Sequence, residues 1–306
     1  MKDLLEKYPI LPAPMEGVMR PAVINACNLL ELTPVWITPF FRVTEHIPKA
    51  RELTKFMAPF MAGKVPVIVQ LMGTRADNLA GTAKLALELG ASGIDLNCGC
   101  PSGQVVAHGA GAGALREVEK TARIIEAIRQ SIGNGFFSVK TRLGFDNVEE
   151  AARFLPLWEN AGDVDLFTLH YRTAREGYRT VAGRTERLQT ARNYVKNAMV
   201  FGNGDLQIVD EAKLMIQECN MQGALIGRAF WRDPAILRNY YCPEKSLDPI
   251  EAPHQLWQIL SEQPYGSDGW TLGSAIEMAS LILGPLSPEA SALKKSHSTK
   301  KAAAKH

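Results

Sequence analysis

The chain has 306 residues, 46% of them hydrophobic and 22% charged, with a formal net charge of +2. That composition excludes disordered, collagen-like and disulfide-stapled classes and supplies ample material for a buried core. The small total hides an asymmetry: residues 291–306 hold five Lys and no acid, so residues 1–290 carry 29 basic against 32 acidic groups, a net of −3, and any basic binding surface is local.

Short β-rich runs alternate with helical spacing along most of the chain. Strands are predicted at Ile10–Pro14, Val35–Thr38, Val67–Leu71, Gly93–Leu96, Phe136–Lys140, Leu166–His170, Met199–Gly202 and Gly223–Ile226. Between them, apolar residues recur at helical spacing over Asp77–Leu89, Val118–Ile132, Val148–Asn160 and Ile208–Cys219. Runs such as VPVIVQL are apolar at nearly every position, as parallel strands covered on both faces require. Eight βα units over residues 1–240 predict an α/β fold, a (β/α)8 TIM barrel. A doubly wound open sheet fits less well, because no G-x-G-x-x-G turn follows the first strand.

After Tyr240 the stretch YCPEKSLDPIEAP, with three Pro, reads as a linker. A small helical unit over 241–290 follows, with helices predicted at His254–Glu262 and Thr271–Leu283. The Lys-rich tail 291–306 is predicted to be disordered. No apolar run reaches the ~18–20 residues of a membrane span. The start MKDLLEKYPILPAP has no basic stretch, apolar core or cleavage site, so a cytoplasmic protein away from membranes is expected. Five Cys (27, 98, 100, 219, 242) are an odd number and point to free thiols. The lone C-x-C of Cys98 and Cys100 is a poor zinc set, and no metal site is expected.

In a barrel of this type chemistry belongs at the C-terminal strand ends. There the sequence places Pro14-Met15-Glu16-Gly17, Gln70, Asn97-Cys98-Gly99-Cys100-Pro101-Ser102, Lys140 with Arg142, His170 with Arg172, Gly202-Asn203-Gly204-Asp205 and Gly227-Arg228. Small loops after the last two strands bring backbone N–H groups near an anion and Arg228 adds positive charge, which suits the phosphate of a cofactor. Gln70, Lys140 and His170 would form a polar ring around the barrel mouth. Such a ring suits a flat heteroaromatic cofactor, with Lys140 placed where a reduced flavin becomes anionic. Cys100, before a Pro on a Gly-rich loop, can act as a proton donor, a thiol having an unperturbed pKa of ~8.5; Cys98 sits closer to the strand and reads as packed. From His170 to Arg192 six Arg stand against two Glu, interleaved with Tyr171 and Tyr178, a pattern that can hold phosphates and stack a base.

Taken together, D-L-N-C-G-C-P-S, P-M-E-G, S-V-K-T-R-L-G, H-Y-R-T, N-G-D and I-G-R resemble the tRNA-dihydrouridine synthase family, flavin enzymes that reduce a uridine of tRNA. The motifs run in family order from Pro14 to Arg228. The Asn-Cys-Gly-Cys-Pro-Ser form is most similar to the bacterial C-type subgroup, which acts on position 16 of the D-loop. The resemblance implies FMN as cofactor, NADPH as reductant and tRNA as partner. It implies FMN contacts from Pro14, Met15, Glu16, Gln70, Lys140, His170, Asn203, Gly204, Asp205, Gly227 and Arg228. It also implies contacts to the target base from Asn97, Arg142 and Arg172, and a proton for uracil C5 from Cys100, with the hydride going to C6. A base must leave its stack to react, which favours a target in a loop.

The chain departs from the family in four places. Tyr171 replaces a small residue, Gly183–Arg187 stands where an Asp-Trp is usual, Gln222 stands where an acid precedes the last strand, and residues 255–283 contain no Lys or Arg. Two other functions fit parts of the pattern: an FMN barrel acting on a small molecule, and an inactive RNA-binding relative. A monomer is the expected state.

Overall fold

The computed structural model describes residues 1–266 and 270–303, with backbone alone for 299–303. Nine strands lie in one sheet: β1 (Ile10–Pro12), β2 (Trp36–Ile37), β3 (Phe41–Arg42), β4 (Val67–Met72), β5 (Gly93–Cys98), β6 (Phe137–Arg142), β7 (Leu166–His170), β8 (Met199–Asn203) and β9 (Gly223–Ile226). All pairs are parallel, in the order β1-β9-β8-β7-β6-β5-β4-β2, with β3 also pairing β4. β1 and β2 lie side by side where the barrel closes. The predicted (β/α)8 barrel is therefore the observed architecture. Only β3, two residues long and close behind β2, had no counterpart in the predicted strands.

Burial along the strands explains the layers. Val67, Val69 and Leu71 of β4, Ile94, Leu96 and Cys98 of β5, and Phe137 and Val139 of β6 face outward, into an apolar shell under the helices. The alternate positions face the barrel interior. Its lower part is filled by Leu11, Ile37, Ile68, Leu166, Met199, Phe201 and Leu225, and plugged from below by Leu5 of the helix Lys2–Lys7. Above that apolar floor the inward positions turn polar: Gln70, Asp95, Asn97, Ser138, Lys140, His170 and Asn203. A side-chain period of two thus seals one end of the barrel and makes the other end chemical.

The helices follow their apolar spacing. In Val118–Ile132 the buried residues Val118, Thr121, Ala122, Ile125, Ile128 and Ile132 form one stripe, and the chain leaves the helix through Gly133 at φ 56°. The helix predicted at Val148–Asn160 is instead a 3-10 turn, Val148–Glu150, leading into a helix at Ala151–Gly162. The Glu150 carboxylate accepts the N–H groups of Phe145, Asp146 and Asn147, which sets that turn.

The helices Glu251–Ser261 and Leu272–Ile282 share the outer apolar shell with the barrel through Leu256, Leu260, Trp270, Met278 and Ile282. The Pro-rich stretch before them is tied down: Asn239 exchanges two 2.7 Å hydrogen bonds with the Leu247 backbone. The tail predicted to be disordered is helical over Pro288–Ala303. Ala290 is buried and Leu293 packs on the apolar shell, and this anchoring at the N-terminal end lets a run of good helix formers continue. Residues 304–306 of that tail lie outside the described residues. No helix among the described residues is long and apolar enough to cross a membrane.

The entry to β8 depends on a buried carboxylate. Glu159, 4% exposed, accepts the N–H groups of Lys196, Asn197 and Ala198 at 2.7–3.0 Å. Glu159→Ala should cost about 2–4 kcal/mol by stranding three donors, read as a lower urea midpoint, whereas Glu159→Gln, which keeps a carbonyl, should cost less.

Candidate active site

All fifteen predicted site residues line one cavity of about 560 Å³ at the C-terminal ends of the strands, together with Phe40, Gly99, Tyr178 and Leu206 among others. The volume lies in the ~300–1,000 Å³ range of ligand pockets. Pro14, Met15 and Glu16 form the rim after β1, and the loops after β8 and β9 complete that side. β4 to β7 supply the opposite wall.

Strand register builds that wall. Gln70 pairs with Asp95, and Asp95 with Ser138, so three polar side chains share one layer. Ser138 Oγ donates to Asp95 Oδ1 at 2.6 Å and Gln70 Nε2 donates to Asp95 Oδ2 at 2.8 Å. Asn97 Nδ2 in turn donates to Gln70 Oε1 at 2.8 Å, and Asn97 Oδ1 accepts the N–H groups of Gly99 and Cys100 at 3.1 and 3.0 Å. Asn97, expected to touch a base, therefore holds the loop that carries Cys100. Neither Asp95 nor Ser138 was singled out from the sequence. Asp95 stands two residues before Asn97 and Ser138 two before Lys140, so a period of two along each strand was the available signal.

The two thiols separate as expected. Cys98 points into the outer shell, 1% exposed, and burial pushes its pKa up. Cys100 is partly exposed and lines the cavity. Its loop is held from the other side by Ala112, whose N–H donates to the Cys100 carbonyl at 2.9 Å.

The cavity wall is electropositive. Burial, reinforced by Arg142, pushes the Lys140 ammonium down to about 8, with Asp95 and Cys100 pulling the other way. Burial and then the cations Arg142, Lys140, Arg172 and Arg228 drive His170 well below its ordinary value, so its ring is neutral. His170 Nδ1 accepts the Arg172 N–H at 3.3 Å, which leaves the ring proton on Nε2 as a donor. Asp95, pushed up to about 6 by burial against the hydrogen bonds from Ser138 and Gln70, sits beside Lys140.

At the corner formed by the loops after β8 and β9, Gly204 adopts φ 123°, and a Cβ there would meet the Tyr171 ring at 2.5 Å. Tyr171, the bulky departure noted above, fills the space beneath this loop and donates to Asp205 Oδ2 at 2.8 Å. Asp205 also pairs with Arg172, and with Arg228 at 3.2 Å. Its side chain is thus an anion among cations, and its contribution to an anionic ligand would come from the backbone. Burial works to raise the Asp205 pKa, but hydrogen bonds from Arg172 and Tyr171 outweigh it and hold the carboxyl below the usual range. Gly227 presents open space where a Cβ would stand. Another departure is accommodated as well: Gln222 Oε1 accepts the Val200 N–H at 2.8 Å, so a carbonyl serves where an acid is usual.

The Arg-rich segment does not present its charge freely. Arg184–Arg192 is a helix, and the guanidiniums are engaged by the protein itself. Arg175 pairs with Asp146, Arg187 with Glu176 at 2.9 Å, and Arg184 and Arg192 donate to backbone carbonyls. Arg142 Nε donates to Gly99 O at 2.8 Å, while Nη1 donates to Thr173 O and Gly177 O at 2.9 and 2.8 Å. It thereby joins the Cys100 loop to the turn carrying Tyr178. Tyr178, 72% exposed, covers Arg142 with its ring centroid 5.5 Å from Cζ. Net charge by residue count overstated this segment, because counting does not register ion pairs.

The model of the dihydrouridine synthase (Dus) family matches residues 11–262. A tRNA-dihydrouridine(16) synthase of Haemophilus influenzae is 30% identical over 225 residues, 72% of each chain. One of Escherichia coli K12 is 31% identical over 262 residues, 83% of this chain and 82% of its own. Among solved structures, the old yellow enzyme homologue of Zymomonas mobilis superposes with a TM-score of 0.54 at 10% identity, covering 80% of this chain and 87% of its own. Morphinone reductase in complex with tetrahydroNAD gives 0.56 at 10%, covering 81% and 90%. At that identity these two structures speak to the fold alone.

Because one guanidinium joins two loops, Arg142→Lys should loosen both. Loss of about 2–3 kcal/mol of local charge-assisted hydrogen bonding predicts faster proteolytic nicking within 173–182, while the global unfolding midpoint moves much less.

Proposed function

The chain belongs to the dihydrouridine synthase family, and from that premise we propose that it reduces a uridine of the tRNA D-loop, at position 16, to 5,6-dihydrouridine, holding FMN and using NADPH. The observation that carries the reading is the convergence of Cys100, Lys140, His170 and Arg228 from four different strand ends on a single cavity. The relatives named for position 16 support the choice of uridine.

The cavity's donor set suits FMN. Gly227 leaves open space for a phosphate, Arg228 supplies charge beside it, and Gln70, neutral His170 and Lys140 present donors to a ring with carbonyl and nitrogen acceptors. When bound, the flavin supplies the hydride for uracil C6. Lys140 would supply positive charge to offset the negative charge of the reduced ring. Cys100 Sγ–H gives a proton to C5, leaving a thiolate that takes up a proton from solvent before the next turnover. Tyr178, at the cavity edge over Arg142, offers a face on which a flipped base stacks. Arg172, buried against Asp205, orients that edge from beneath rather than reaching for the base.

Three measurements test the reading. Deleting the gene in the source organism should abolish dihydrouridine at tRNA position 16; full retention at every position would overturn it. Cys100→Ala should keep flavin and lose about 10²–10⁴-fold in turnover, whereas Cys98→Ala should keep both. A lysine is charged below its pKa, so turnover should fall as pH rises through about 8, the value at Lys140; Lys140→Met should be slow throughout.

A further inference from the structure

One buried titratable group has no part in the reaction just described. Asp95 is 2% exposed and lies beneath the cavity, not in its wall. We propose that Asp95 is a positioning residue: its carboxylate fixes which way the Gln70 and Asn97 amides point, and so sets the backbone of the loop that carries Cys100. The inference rests on the function proposed above and adds to it a residue that touches neither substrate nor cofactor.

A carboxamide has a donor end and an acceptor end of nearly the same shape, so only its partners decide its orientation. An ionised carboxylate accepts only. Asp95 Oδ2 therefore takes the Nε2 end of Gln70 at 2.8 Å, and its other oxygen is closed by Ser138 at 2.6 Å. With Nε2 committed, Oε1 of Gln70 faces Asn97 and accepts from its Nδ2. Asn97 is then left with Oδ1 towards the loop, where a carbonyl oxygen is the atom able to accept both the Gly99 and Cys100 N–H groups. Reversing Gln70 would set its NH₂ against that of Asn97, and reversing Asn97 would set an NH₂ group against the Gly99 and Cys100 N–H groups and release the loop. The sense of the whole relay is decided at its buried end. The Gln70 backbone cannot shift to compensate, since its own N–H is held by Thr38 Oγ1 at 3.0 Å.

The conservative variant keeps the shape and removes the acceptor-only character. In Asp95→Asn the new carboxamide can accept from Gln70 and donate to Ser138 Oγ, whose hydroxyl then turns to the Ile94 carbonyl, already 3.3 Å away, or it can keep its oxygen on Ser138 and turn its NH₂ to Gln70, so the sense of the relay is no longer imposed. In Asp95→Ala no acceptor remains and both orientations of Gln70 become open.

The test is alkylation of the full-length protein by iodoacetamide, followed peptide by peptide, with the partly exposed Cys242 as internal reference, alongside kcat and KM on a tRNA transcript. Asp95→Ala should label Cys100 about threefold faster or more, with Cys242 unchanged, and lower kcat about tenfold at nearly constant KM; Asp95→Asn should fall between Asp95→Ala and wild type on both. Wild-type labelling and kcat in Asp95→Ala would overturn the proposal. If Asp95→Ala does not fold, Ser138→Ala, which frees one carboxylate oxygen, should shift labelling and kcat in the same direction by less, and no shift would count against the idea. Failure of wild-type protein to form dihydrouridine would remove the functional reading, while the labelling comparison would still decide the relay.

Discussion

A parallel ladder leaves no freedom over which side chains share a layer, since residues paired across it face the same side. In this barrel the pairing of Gln70 with Asp95 and Asp95 with Ser138 puts an acceptor-only group between two donors in the dry interior. A slip of one residue would turn Asp95 into the apolar shell and bring Ile94 or Leu96 inward. The upper half of the barrel therefore depends on register in a way the apolar floor does not, because an apolar layer tolerates exchange of similar shapes and a polar one must match every donor to an acceptor.

Charge is arranged with the same economy. Lys140, Arg142, Arg172 and Arg228 crowd the mouth, and two carboxylates sit among them at different depths. Asp95 lies below, beside Lys140, and Asp205 lies at the rim, between Arg172 and Arg228. This spacing keeps the cations compatible with one another while leaving the wall net positive, and burial, reinforced by these cations, holds His170 neutral so that it can donate a hydrogen bond without adding a further charge.

Much of this was legible in the sequence, because strand ends in a parallel barrel are marked by apolar runs that stop at polar residues. Gln70, Lys140 and His170 were found on that signal, and Cys100 was told from Cys98 by its distance from the strand. Less legible were features that depend on what faces a residue across space. Asp95 was passed over although it lies within D-L-N-C-G-C-P-S, since its role follows from partners on β4 and β6. The Arg-rich stretch was read as free charge because Asp146, Asp205 and the Asn220 carbonyl, which engage part of it, are brought in by the fold from distant positions. The tail's helix was missed for a related reason: its composition has low complexity, and the burial of Ala290 that anchors it is a tertiary fact.

The Arg142 tie gives the molecule a mechanical property. One guanidinium grips the Gly99 carbonyl on one loop and the Thr173 and Gly177 carbonyls on another, so the two segments behave as a single lever hinged on β6. The Tyr178 turn therefore cannot move far from its place without either breaking one of these bonds or drawing on the backbone beside the Cys100 thiol.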